Sequence, residues 1–99
     1  MKMAFLVCTE YFVIEVMQLL RNADIDYYTR WDHAKGKGRG TEPHLGSGSH
    51  GSTNTGLMIA FDEDEPLARL IDLIGSLNAK IARADDHVRL FQLPLERIV

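Results

Sequence analysis

The chain has 99 residues and 11.2 kDa, 45% of them hydrophobic, with 11 Lys+Arg against 14 Asp+Glu and a net charge of −3. This length makes a single domain of 1–99 with one modest core, and the apolar content excludes intrinsic disorder. The acidic balance, with a pI near 5.7, lacks the positive field of a nucleic-acid binder, so any anion site must be local. One cysteine cannot form an internal disulfide, which points to the cytoplasm. No apolar stretch reaches the roughly 18–20 residues needed to cross a bilayer.

Met3 to Cys8 is a continuous apolar run of strand length, such as strands buried on both faces carry. Glu10 follows at once and there is no small-residue cleavage site, so the run reads as a first strand and not as a signal peptide. From Tyr11 the spacing changes. Val13, Val16, Met17 and Leu20 recur every three or four residues and predict a helix ending near Asn22-Ala23. Ile25 to Asp32 mixes aromatic, β-branched and polar residues and predicts a second strand, with Tyr27, Tyr28 and Trp31 packing on the sheet and not serving as base-stacking platforms.

The segment 36–56 holds seven of the eight glycines with Ser, Thr, Asn and one Pro, and shows neither period. It predicts a long flexible loop, and a loop of about twenty residues in so small a domain is usually functional. Gly56 to Phe61 is a third, fully apolar strand. The acids Asp62 to Glu65 and then Pro66 open a second helix, whose stripe runs through Leu67, Leu70, Ile71, Ile74, Leu77 and Ile81 to about Ala82. Val88 to Leu93 is a last strand, stopped by Pro94.

The order βαββαβ is the split plan of an α+β, ferredoxin-like sandwich. Both helices then lie on one face, and the other is left bare although strands one and three are apolar on both sides. The cheapest cover is a further copy of the same chain, so a closed homo-oligomer is expected.

Lys35, Lys37 and Arg39 alternate with Gly36, Gly38 and Gly40, a pattern that lets backbone N–H groups and three cations converge on an anion. It is neither a P-loop nor a dinucleotide fingerprint. Arg39 and Arg89 are suited to bidentate grip. His33, His44 and His50, with Asp32 and Glu42 nearby, form a borderline-soft set for Zn, Cu or Ni, at spacings that match no standard motif. Cys8 reads as a small core residue. Ser47, Ser49 and Ser52 lie near histidines, but in a glycine-rich segment that cannot hold a preorganised triad, so no catalytic constellation is present and the chain is not expected to be an enzyme.

Lys35-Gly36-Lys37-Gly38-Arg39 followed by Thr41-Glu42-Pro43-His44-Leu45-Gly46, and Arg89-Leu90-Phe91-Gln92-Leu93-Pro94-Leu95-Glu96 at the last strand, resemble the KGxGR, TExYxG and K-I-F-V-x-P-V-E stretches of the PII signal-transduction family. The likeness spans essentially the whole chain. It implies a homotrimer that binds adenine nucleotide or another small anion in clefts between subunits, with Lys35, Gly36, Lys37, Gly38, Arg39 and Arg89 as ligand residues. It further implies a T-loop between strands two and three that engages a regulated partner such as a membrane transporter. The departures are informative. Only Gly40 separates Arg39 from Thr41, where the nitrogen-sensing members carry a nucleotide-contacting glutamine. Ser49 stands near their modified tyrosine, and Ala84-Asp85-Asp86-His87-Val88 replaces their glycine-rich phosphate loop. The chain therefore resembles a divergent PII-like regulator. The alternative is a metal-binding or metal-responsive trimer using His33, His44 and His50, on the same scaffold or similar to the trimeric cation-tolerance proteins.

Overall fold

The computed structural model describes residues 1–38 and 52–99. In chain order they form β1 (Lys2–Thr9), α1 (Val13–Asn22), β2 (Thr29–Ala34), β3 (Asn54–Phe61), α2 (Asp64–Asn78) and β4 (Arg89–Pro94), with single 3-10 turns at Glu10–Phe12 and Ala84–Asp86. The strands pair antiparallel in the order β2-β3-β1-β4. This is the ferredoxin-like α+β fold that the element order predicts. Arg39, His44, His50 and most of the predicted loop 36–56 lie outside the described residues.

Alternation along β1 sends Ala4, Leu6 and Cys8 into the core, and β3 does the same with Thr55, Leu57, Ile59 and Phe61. Val16 and Leu20 of α1 and Leu67, Leu70 and Ile74 of α2 close over that face. In α2 the stripe is narrower than its spacing predicts, because Ile71 is exposed. The helix also ends at Asn78, four residues short of the predicted end, yet Ile81 is still buried because tight turns, Lys80 N–H to Leu77 and Ile81 N–H to Asn78, fold it back.

Two boundaries shift for visible reasons. The predicted second strand begins at Ile25, whereas β2 begins at Thr29. After α1, Asp24 turns to φ 59°. Its N–H donates to the Arg21 carbonyl and that of Ile25 to the Leu20 carbonyl at 2.9 Å. This is a Schellman closure with Asp in the position usually held by Gly, and the burial of Ile25 with Leu20 seals it. Ile25 is thus a helix stop, not a strand start. At the other boundary, β3 begins at Asn54 instead of Gly56, since Asn54 and Thr55 already pair with Thr9 and Cys8.

The start of β4 is set by one side chain. Asn78 donates from Nδ2 to the Val88 carbonyl at 2.9 Å, and its Oδ1 accepts the Val88 N–H at 2.8 Å. Arg69 ties the two helices by donating to the Ala23 carbonyl while pairing with Glu65.

Candidate functional site

The face of the sheet away from the helices is bare. Met3, Phe5 and Val7 of β1, Met58 of β3, Phe91 and Leu93 of β4 and Trp31 of β2 share it by register. Phe5 is 37% exposed, Leu93 44%, Trp31 50% and Phe91 56%. Isolated apolar residues on a surface are ordinary, but a contiguous aromatic and aliphatic patch on a monomer marks an interface. The sequence pointed to β1 and β3 as the source of this patch. The aromatic contributions of Trp31 and Phe91 come from the edge strands, where period-two alternation of Arg89, Phe91 and Leu93 is the only signal.

Trp31, Gly56, Val7 and Arg89 stand in one row across the four strands. With strands about 4.8 Å apart, Arg89 lies about 14 Å from the β2 edge. Arg89 shares the bare face because its partner Val7 alternates with buried Leu6 and Cys8. The lysines do not. Trp31 faces Gly56, but Ala34 and not His33 faces Asn54, so β2 carries one extra residue between them. His33 occupies this bulge with φ 59°. Alternation continued from Ala34 puts Gly36 on the bare face, and Lys35 and Lys37 on the helix side. Lys35, Lys37 and Gly38 are exposed and Gly36 is half-buried. A Cβ on Gly36 would come within 2.6 Å of Asn54 Nδ2, so a side chain there would have to displace Asn54. Within one protomer the structure thus separates Arg89 from Lys35 and Lys37 by both distance and face, while Arg39 lies outside the described residues.

On the helix side of the same edge, Arg30 Nε donates to Asp32 Oδ1 at 2.8 Å, and Thr55 Oγ1 donates to the same oxygen at 3.2 Å. The Arg30 hydrogen bond holds the Asp32 carboxyl below its ordinary range against the opposing effect of desolvation, with the Thr55 hydrogen bond and the Arg30 and His33 charges adding to the lowering. His33 is the only one of the three candidate metal-binding histidines among the described residues, which contain no group of three or more His, Cys, Asp or Glu able to hold a metal ion.

Cys8, opposite Thr55, is buried, and desolvation pushes its thiol up to about 11, with Asp32 and Glu15 adding to the shift and Arg30 opposing it. The thiol is therefore protonated at neutral pH and unsuited to nucleophilic or metal chemistry. Because the native state keeps its proton while the unfolded thiol loses one near 9, the associated stability is complete below pH 9 and falls as pH rises through 11, by up to about 2–3 kcal/mol. Urea unfolding of the native chain and of Cys8→Ala, measured between pH 8 and pH 11, is expected to show a decline that is shallower in the variant. Equal slopes would remove Cys8 as the cause.

The sequence matches no protein-family model and no curated protein. Its fold does match solved structures. The structure of CPII from Thiomonas intermedia K12 bound to ADP and bicarbonate has a TM-score of 0.67 at 17% identity, over 97% of this chain and 88% of that one. The same nitrogen regulatory PII-like protein bound to ADP, AMP and bicarbonate matches with TM-score 0.67 at 15% identity over the same shares. The βαββαβ sandwich is therefore the fold that this PII-like protein has.

Proposed function

We propose that the chain is a divergent PII-like regulator, a non-enzymatic cytoplasmic homotrimer that takes an adenine nucleotide or another small anion at its subunit seams. The carrying observation is the separation of its cations. Arg89 on one edge and Lys35 and Lys37 beyond the opposite edge flank a bare apolar sheet about 14 Å across. Lys35 and Lys37 also lie on the opposite face of the sheet, so they do not converge with Arg89 within one protomer. Covering the apolar face with further copies brings the Arg89 edge of one copy towards the loop base of the next, where Lys35, Gly36, Lys37, Gly38 and Arg39 supply donors.

The ligands named for the CPII structures, ADP, AMP and bicarbonate, are of the class such a seam accepts. The segment between β2 and β3 is the T-loop of this reading, and its conformation reports seam occupancy to a partner such as a membrane transporter. Fixing a loop costs conformational entropy, so a ligand that orders its base lowers the cost of partner docking and couples the two events.

Calorimetric titration with ADP, in the presence and absence of bicarbonate, tests this reading. The native chain binds, and Arg89→Ala weakens binding at least about tenfold, as loss of a charge-assisted grip on phosphate should. Sedimentation of the same variant is unchanged. An undiminished ADP affinity in Arg89→Ala would remove Arg89 from the site.

A further inference from the structure

We propose that the bulge at His33 is a register latch that decides which face of the sheet Lys35 and Lys37 occupy, and that straightening β2 carries both lysines to the face of Arg89. Three observations support it. The pairing advances three residues on β2, from Trp31 to Ala34, while β3 advances two, from Gly56 to Asn54, so one residue is surplus. That surplus residue is held at φ 59°, a left-handed conformation that histidine enters more readily than most side chains, that β-branched residues avoid, and that an unbulged strand does not need. Ahead of the bulge, Asp32 is clamped by Arg30 and Thr55, which pins the register up to that point. A slip is therefore confined to the residues after Asp32.

The consequence follows from the period of two. A slip of one residue exchanges the faces of every side chain beyond it. In the bulged register Ala34 and Gly36 point to the bare face, and the lysines to the helix side. In the straight register His33 faces Asn54, and Lys35 and Lys37 join Trp31 and Arg89 on the bare face. An anion held by Arg89 of a neighbouring copy draws the lysines across and favours the straight register. The latch itself stands on the pairing geometry, and its coupling to the anion rests on the proposed function.

Position 33 is exposed, so substitutions there leave the core intact. Glycine carries no penalty at positive φ, and a β-branched residue carries a large one. His33→Gly is expected to keep Ala34 opposite Asn54, and His33→Val to bring position 33 opposite Asn54, read by cross-strand Hα–Hα NOEs in the ligand-free protein. Deleting His33 leaves Ala34 opposite Asn54 with no bulge, so it retains the present lysine face. ADP then binds His33→Val at least about threefold tighter than either His33→Gly or the deletion variant. An Ala34–Asn54 pairing that persists in His33→Val overturns the latch, and so does equal ADP affinity in variants whose registers differ. Failure of every variant to bind ADP would sink the proposed function, leaving the latch to be judged by the NOEs alone.

Discussion

In the proposed homotrimer, Phe91→Asp is expected to turn a particle of about three times 11.2 kDa into a folded monomer. Phe91 lies on the edge strand β4, opposite Phe5 of the inner strand β1, and is 56% exposed in the isolated protomer. Covering the exposed part of such a ring is worth about 1–2 kcal/mol per protomer, and a carboxylate sealed in its place without a partner costs several more. Both effects recur in every copy of a closed oligomer, so dissociation should be close to complete at micromolar concentration. The core lies on the other face, so circular dichroism should stay native. Ile14→Asp, exposed on α1, is the control and should leave the assembly unchanged. Sedimentation velocity decides the matter. A monomeric native chain, or an assembly indifferent to Phe91→Asp, would remove the bare face as the interface and with it the seam in which the anion is proposed to bind.

The second large effect is on folding. Asn78→Ala should destabilise the protein by about 2–4 kcal/mol, because it strips the part-buried N–H and C=O of Val88 of a donor and an acceptor at once. For a domain of this size that lowers Tm by about 10–20 °C. Asn78→Asp keeps the acceptor for the Val88 N–H but sets a carboxylate against the Val88 carbonyl, so it should recover little of the loss. Since Val88 precedes Arg89, Asn78→Ala should also weaken ADP binding at temperatures where the variant is still folded. A Tm within about 3 °C of the native value would show that water replaces the Asn78 bridge without cost.

Asn78 also illustrates where sequence reading stops. It looks like any polar residue near a helix end, and only its approach to a segment ten residues later gives it a role. Asp24 is similar. The end of α1 near Asn22-Ala23 is legible in the spacing, but Asp in the left-handed region hides the closure that carries the chain on through Ile25, so the aromatic run after it looks like a strand. The anion-site residues show the same division. Lys35, Lys37 and Arg89 were named from the pattern of glycines and cations and from a family resemblance. That resemblance says nothing about the bulge at His33, which comes from pairing against Asn54.

What this sequence determines alone is the set of elements and their buried faces. The apolar runs of β1 and β3, the three-and-four spacing of both helices and the order βαββαβ are local patterns, and a period of two or 3.6 is visible within a single segment. They also announce that one sheet face is left uncovered. The tertiary structure alone decides how the strands align: that Trp31, Gly56, Val7 and Arg89 share a row, that Trp31 and Phe91 widen the apolar patch, and that the lysines turn away from Arg89. Register is a relation between distant segments, set by the competition of whole pairings, and one surplus residue reverses every side chain after it.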